Sequence, residues 1–159
     1  MTISKLTDDL KISSMKELIS PRELIEALPM SRGAIDTVVQ TRNEIINILN
    51  RTDKRFLLIV GPCSIHDIKA ASEYAKRLLE LKNKVKDNIL VVMRVYFEKP
   101  RTVIGWKGLI NDPDLDNSFN INKGIKIARR LLIDLAEMGI PAGHEYLDLI
   151  SPQYISDVI

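Results

Sequence analysis

The amino-acid sequence predicts an α/β fold built on a parallel sheet. Two short apolar runs, Phe56 to Val60 and Ile89 to Val95, have the length and composition of strands that are buried on both faces. A segment with apolar residues at helical spacing separates them, and another leads to a third, weaker run from Pro141 to Leu147. Strand, helix, strand, helix and strand in this order are typical of right-handed βαβ units. The pattern alone allows an open doubly wound sheet or a closed barrel.

The residues ahead of the first strand predict a helical extension. Ser20 can cap a helix, Pro21 suits its first position, and Glu23 completes a capping box. This helix is short because Pro29 ends it. The residues that precede it are mixed and polar, and they are typical of an arm.

A second helix of the extension begins at Ser31. Its apolar residues make one stripe at helical spacing: Ile35, Val38, Val39, Ile45, Ile46 and Leu49. We therefore divide the chain into residues 1–52, an arm with a helical extension, and residues 53–159, the α/β unit.

The α/β unit contains two long helices. Gly61 and Pro62 end the first strand, and Asp67 can cap the helix that follows. The residues predicted to face inward from this helix are Ile68, Ala71, Tyr74, Ala75, Leu78 and Leu81. The next helix runs from about residue 123 to 138 and stops at Gly139. Its predicted inward residues are Ile125, Ala128, Leu131, Leu132 and Leu135.

The composition excludes several classes of protein. The net charge is +2, from 23 basic and 21 acidic residues, so no overall field points to nucleic acid or a membrane surface. A single cysteine excludes an internal disulfide framework and fits a reducing compartment. There is no apolar signal segment, and no apolar run approaches the roughly 18 residues of a membrane-spanning helix. We expect a soluble, cytoplasmic protein.

Three cations lie at the end of the second strand and in the long predicted loop that follows it, from Tyr96 to Asn122. Arg94, Lys99 and Arg101 are donors at the exit of a rigid element, which suits a site for phosphate or carboxylate groups. A solvated charged turn is the alternative interpretation. A loop of this length inside a compact domain is usually functional. These residues alone leave both interpretations open.

The other candidate residues follow the neighbouring strands. Cys63 and His66 come after the first strand, and Glu145 lies late in the third. Because the carboxyl ends of parallel strands meet at one edge of a sheet, these residues and the cations should lie near one another. By itself, Cys63 is most simply a small buried apolar residue, and His66 a structural or substrate-adjacent histidine.

Four motifs carry a resemblance to a known family. They are Arg94 to Thr102, Gly105 to Pro113, Gly61 to Asp67, and Ser151 to Tyr154. Over almost the whole chain, from about Asp8, the sequence resembles the metal-dependent, aromatic-amino-acid-regulated 3-deoxy-D-arabino-heptulosonate-7-phosphate (DAHP) synthases. The resemblance implies a (β/α)8 barrel with an N-terminal helical extension. Three β/α units are encoded here, so we expect roughly the N-terminal half of such an enzyme.

The resemblance also implies an activity, which is the first step of the shikimate pathway. Phosphoenolpyruvate condenses with D-erythrose 4-phosphate to give DAHP and phosphate. Arg94, Lys99 and Glu145 match positions that face phosphoenolpyruvate, and Lys99 is also a candidate proton donor. The positions matching those that receive the phosphate of erythrose 4-phosphate are Pro100, Arg101 and Thr102. Trp106 and Lys107 belong to the same loop, where packing and a solvated charge are the simpler interpretations.

The remaining implications concern a metal and an effector. Cys63 matches a ligand of a divalent metal, which would be Mn, Fe, Co or Zn. The family's other ligands, a histidine, a glutamate and an aspartate, come from its later half, so Cys63 alone should bind metal poorly. An aromatic amino acid effector would contact Asp8, Asp9, Pro152 and Gln153, in a homo-oligomer that is a dimer or tetramer.

Several alternatives stay open. The chain departs from the family at His144, which leaves the shape of the third strand undecided and gives no reason to propose a catalytic histidine. We expect the 159-residue chain to be inactive alone. Two other functions are a non-catalytic fragment that pairs with a full-length subunit and a small α/β domain that binds phosphorylated metabolites without chemistry.

Overall fold

The computed structural model describes residues 10, 12, 14–101 and 104–159. Within them the sheet has three parallel strands in the order β1-β2-β3, so that β2 is central. The elements are α1 (Pro21–Ala27), α2 (Arg32–Leu49), β1 (Phe56–Val60), α3 (Ile68–Val85), β2 (Ile89–Arg94), α4 (Ile121–Glu137), β3 (Ala142–Gly143) and α5 (Pro152–Ile155), followed by a 3₁₀ turn at Ser156–Val158. The predicted α/β class with a parallel sheet is confirmed. None of the helices described is both long enough and apolar enough to cross a membrane.

The predicted helix ends are confirmed by their capping contacts. The Ser20 hydroxyl accepts a hydrogen bond from the Glu23 N–H at 3.2 Å, and the Glu23 carboxylate accepts one from the Ser20 N–H at 3.0 Å. Asp67 accepts two backbone N–H groups from the first turn of α3, at 2.8 and 3.0 Å. These two bonds lower the pKa of its carboxyl. Gly139, with φ of 85°, ends α4 in a left-handed conformation.

Helix α4 is the centre of the core. It packs against α2, α3, α5 and β3. All of its predicted inward residues are buried: Ile125, Ala128, Leu131, Leu132 and Leu135. Gly124 lies directly against the loop that precedes the helix, since a Cβ there would come within 2.1 Å of the Ile110 carbonyl oxygen. The close approach of helix and loop therefore depends on glycine.

Arg129 is a buried charge on α4. Its side chain is fully buried, and its guanidinium donates to the Asp157 carboxylate at 2.7 and 2.9 Å. It also donates to the carbonyl oxygens of Leu28 at 3.0 Å and Tyr154 at 2.9 Å. One side chain thus ties together the end of α1, the middle of α4 and the residues around α5.

The helix predicted from Ser31 is present as α2, but most members of its apolar stripe are not buried. Ile35, Val39, Ile46 and Leu49 are exposed, and the fully buried positions of the helix are Ala34, Val38 and Thr41. At helical spacing the three buried residues lie to one side of the stripe, so α2 contacts the rest of the described chain along a neighbouring face. Two of the three buried residues are small or polar, and such side chains let α2 approach α4 closely. On α3, Leu81 is likewise 46% exposed.

The prediction that β1 is buried on both faces is also wrong. Phe56 is 77% exposed, and Leu58 and Ile59 are exposed as well. The central strand β2 is buried from Leu90 to Met93, as predicted. Among the residues described, β1 has a partner strand on one side only. Its exposed side chains show in addition that its two faces are only partly covered.

Strand β3 is much shorter than the predicted run to Leu147. A side chain takes the place of the next backbone hydrogen bond between β2 and β3. The last backbone bond runs from the Val95 N–H to the Gly143 carbonyl at 2.8 Å. The Val95 carbonyl oxygen, which would continue the ladder, instead lies 2.7 Å from Nδ1 of His144. Glu145 consequently lies beyond the strand, where it is exposed.

Candidate active site

The loop after β1 lies against the end of β2. Gly61 allows this contact, since a Cβ there would come within 2.4 Å of the Arg94 carbonyl oxygen. Further along the loop, the Ile65 N–H donates a hydrogen bond to the Tyr96 carbonyl at 2.8 Å. Cys63 lies between these two contacts and is exposed.

The side chains of Lys99 and Cys63 are in direct contact. Lys99 Nζ lies 3.0 Å from Cys63 Sγ and donates to the Cys63 carbonyl oxygen at 2.9 Å. The long loop folds back to hold this lysine, through a bridge between Glu98 and Gly108 and a bond from the Lys99 N–H to the Lys107 carbonyl at 2.9 Å. The structure thus brings together two side chains that follow neighbouring strands.

The cations at this edge favour the thiolate form of Cys63. The hydrogen bond from Lys99 and the charge of its ammonium lower the pKa of the thiol most, and the charges of Arg94 and Arg101 lower it further. Since the thiolate is the form that binds metals and attacks electrophiles, the site prepares Cys63 for either role.

We expect Lys99→Met to slow the alkylation of Cys63 by iodoacetamide several-fold near neutral pH. Without the ammonium, the thiol pKa rises toward its ordinary value, and less thiolate is present at any pH below that value. At strongly alkaline pH both proteins are fully deprotonated, so their rates should converge. Mass spectrometry of the chelator-treated protein over a pH series measures these rates.

Lys107→Met is the matched control, because it removes an exposed ammonium from the same loop without a contact to the thiol. Equal alkylation rates for the wild type and Lys99→Met near neutral pH would contradict the prediction.

The two arginines extend the cationic edge. The guanidinium carbon of Arg94 lies 4.0 Å from the ring centroid of Tyr96, which is a cation–π contact. Arg101 is exposed and lies beside Gly105, whose φ is 112°. Within residues 14–101 and 104–159, neither arginine nor Lys99 forms an ion pair with a carboxylate. Their donors are therefore available to an anionic ligand.

The other predicted site residues are more dispersed. Pro100 adjoins Lys99 and is exposed, whereas Glu145 makes no hydrogen bond or ion pair to the cations in the part of the chain described. Pro152 begins α5, and Gln153 is exposed beside it. The predicted positions Asp8, Asp9 and Thr102 lie outside the described residues.

The described residues do not by themselves build a metal site. Over residues 14–101 and 104–159, no three histidine, cysteine, aspartate or glutamate side chains are grouped so that they could hold an ion. Cys63 offers one ligand, and structural or catalytic sites need three or four. His66 is exposed and its ring packs edge-on against Trp106, at 6.4 Å between centroids, which agrees with a structural role. Trp106 is partly buried against the core, and its indole N–H donates to the Asp112 carbonyl at 2.8 Å, which agrees with the packing interpretation.

Three buried polar side chains next to this edge are absent from the predicted site. Glu98, which precedes Lys99, is 5% exposed, and it accepts a hydrogen bond from the Ser151 hydroxyl at 3.1 Å. The His144 side chain is fully buried, with Nε2 3.5 Å from Glu98 Oε2. The signal in the sequence was that Glu98 follows an apolar segment that includes Val95 and Phe97, but this does not indicate which side chains Glu98 contacts.

Comparison with known proteins gives consistent matches. The model of the DAHP synthetase I family matches residues 32–159. The Phe-sensitive phospho-2-dehydro-3-deoxyheptonate aldolase of Escherichia coli K12 is 55% identical over 152 residues, and the Trp-sensitive one is 48% identical over 153. Each alignment covers 96% of this chain and 43% or 44% of the relative.

A solved structure agrees with these matches. The phospho-2-dehydro-3-deoxyheptonate aldolase of Francisella tularensis SCHU S4 superposes with a TM-score of 0.90 and 54% identity, over 93% of this chain and 43% of that one. The chain therefore spans less than half the length of the relatives that it matches, corresponding to their N-terminal part. Because the family model matches residues 32–159 and the fold agrees with that of the solved relative, the chain belongs to the DAHP synthetase I family.

Proposed function

We propose that this chain is the N-terminal part of a DAHP synthase and supplies its cationic substrate edge. The observation that carries the proposal is the contact of Lys99 Nζ with Cys63 Sγ at 3.0 Å, beside two arginines without carboxylate partners among the described residues. Membership of the family supports this assignment of the edge.

In the proposed reaction, C3 of phosphoenolpyruvate attacks the aldehyde carbon of D-erythrose 4-phosphate. Water adds at C2, the C2–O bond to phosphate breaks, and DAHP and inorganic phosphate leave. Arg94 and Lys99 hold the phosphate and carboxylate of phosphoenolpyruvate, with Glu145 alongside, and Lys99 donates a proton. Pro100, Arg101 and Thr102 receive the second phosphate. By fixing both substrates, the edge brings the two reacting carbons together.

A divalent metal, if bound, supplies Lewis-acid polarisation of the aldehyde oxygen. Cys63, whose thiol pKa is lowered, is the one ligand that this chain contributes at the edge. One ligand does not make a metal site. In this proposal the remaining ligands come from the part of the relatives' length that this chain does not match.

The same proposal extends to architecture and regulation. Residues 1–52 form an arm and helical extension, and residues 53–159 form the first three units of a (β/α)8 barrel in a cytoplasmic homo-oligomer. An aromatic amino acid inhibits the complete enzyme through a pocket that includes Asp8, Asp9, Pro152 and Gln153. The Phe-sensitive and Trp-sensitive relatives support this type of regulation.

Calorimetric titration with phosphoenolpyruvate, with and without Mn²⁺, tests the binding edge. Arg94→Ala should weaken binding by about tenfold or more, because it removes charge-assisted hydrogen bonds worth about 1.5–3 kcal/mol. Arg77→Ala is the matched control, since Arg77 is an exposed arginine on α3 that pairs with Glu73. Equal affinities for Arg94→Ala and the wild type would contradict the assignment.

The other functions have distinct outcomes. A chain that binds phosphoenolpyruvate identically with and without Mn²⁺, and turns nothing over, would be a phosphometabolite-binding domain. Co-purification with an intact subunit without turnover would favour a fragment that acts by association. The exposed apolar residues of α2 and β1 are the surfaces available for such pairing.

A further inference from the structure

A buried histidine joins the segments that follow β2 and β3. Nδ1 of His144 lies 2.7 Å from the Val95 carbonyl oxygen. Since a carbonyl only accepts hydrogen bonds, Nδ1 carries the proton of this contact. Val95 directly follows Arg94, and His144 directly precedes Glu145. The imidazole therefore connects two backbone positions that adjoin proposed substrate ligands.

The other ring nitrogen faces a buried carboxylate. Nε2 of His144 has no hydrogen-bond partner among the described residues, and it lies 3.5 Å from Oε2 of Glu98. The same oxygen accepts the Ser151 hydroxyl at 3.1 Å. With Nδ1 protonated toward Val95, a bare Nε2 and an ionised Glu98 would be two acceptors facing each other out of water, which is unfavourable. One additional proton on Glu98 removes this conflict when Glu98 directs it to Nε2. Asp148 is a second acidic neighbour of Glu98: burial raises the pKa of the Asp148 carboxyl, but hydrogen bonds from the Ser151 and Ile150 N–H groups and one with Glu98 lower it overall.

Aromatic rings enclose the pair. Tyr96, Phe97 and Tyr146 have ring centroids 6.0, 5.3 and 5.3 Å from that of His144. Such surroundings exclude water, which strengthens a hydrogen bond between the imidazole and the carboxylate. They also raise the free-energy cost of leaving either group without a hydrogen-bond partner. His144 is therefore one of the residues that hold the Glu98 side chain, together with Ser151.

We propose that His144 and Glu98 share a proton and act as positioning residues for phosphoenolpyruvate, an inference that rests on the proposed function. Glu98 is joined directly to Lys99, whose ammonium has to reach the site beside Cys63. Through Ser151 the same carboxylate holds the start of α5. Both residues are buried, so they act through Lys99 and Glu145 and not on the substrate itself.

Nitrogen-15 NMR of the histidine rings tests the shared proton without any ligand. The chain has two histidines, and the exposed His66 serves as an internal reference that His66→Gln assigns. We expect a protonated Nδ1 in His144 and an Nε2 resonance that moves in Glu98→Ala, while the His66 signals stay in place. An Nε2 resonance that is the same in both proteins would overturn the shared proton.

Titration with phosphoenolpyruvate tests the positioning role. His144→Phe keeps a ring and removes both nitrogens, so affinity should fall by at least about fivefold, the effect of one lost hydrogen bond. Glu98→Ala should do the same. Glu98→Gln should recover most of the affinity, because its amide can donate to Nε2 while its oxygen accepts from Ser151.

A core variant separates positioning from general loss of stability. Val38→Ala, in a buried position on α2, should lower the unfolding temperature without changing the affinity. Wild-type affinity in His144→Phe, or equal losses in His144→Phe and Val38→Ala, would overturn the positioning role. If the wild type itself fails to bind phosphoenolpyruvate, the proposed function fails, and the NMR result still decides whether the proton is shared.

Discussion

Gly124→Ala should lower the free energy of unfolding by about 3 kcal/mol or more, the upper range for overpacking a core. The new methyl group would lie 2.1 Å from the Ile110 carbonyl oxygen and 2.6 Å from that of Leu109. Both are backbone atoms, so relief requires α4 or the preceding loop to move as a whole. Urea unfolding followed by circular dichroism measures the change.

Gly33→Ala is the matched control for this substitution. Gly33 also lies in a helix, but a Cβ there would meet nothing within 4 Å. Alanine should therefore be neutral or stabilise the chain by up to about 1 kcal/mol, through its better helix propensity. If Gly124→Ala unfolds at the same urea concentration as Gly33→Ala, the contact between α4 and its loop is not as tight as described.

Arg129→Met should cost about 3 kcal/mol, near the lower end for breaking a buried ion pair. Methionine keeps much of the apolar stem, but it leaves the Asp157 carboxylate and the carbonyl oxygens of Leu28 and Tyr154 without their donor. Part of the loss is offset because the Asp157 side chain is 39% exposed and can be hydrated. Thermal and urea unfolding both measure this effect.

The neighbouring arginine provides the comparison. Arg130 is exposed and lies 3.9 Å from Asp134 in a helical pair, so Arg130→Met should change stability by no more than about 0.5 kcal/mol. Similar losses for the two arginine variants would indicate that the Arg129 contacts contribute little.

The helices were predicted well from the sequence, because the residues that determine where a helix begins and ends lie close to those ends. The capping box at Ser20, the Asp67 cap and the Gly139 stop each depend on residues within one turn of the helix end. The inward face of α4 was predictable because the helix is covered on several sides, so its apolar periodicity and its burial coincide. On α2 they do not coincide, since one face alone is covered and small residues form the contact.

The strands and the site were less predictable, because they depend on distant partners. Whether β1 is buried depends on its neighbours in the sheet, which its own composition does not reveal. The end of β3 is fixed by a hydrogen bond between His144 and Val95, 49 positions apart. Motifs and the order of the strands indicated that Cys63 and Lys99 approach each other. Neither indicated that the neighbouring Glu98 is buried.

The open side of β1 determines how the purified chain behaves at high concentration. Its outer N–H and carbonyl groups have no strand partner in the described part of the chain, and Phe56, Leu58 and Ile59 flank them with exposed apolar surface. A bare edge of this kind can continue its hydrogen-bond ladder into another molecule. Since a net charge of +2 provides little mutual repulsion, we expect this edge to favour association of the purified chain as its concentration rises.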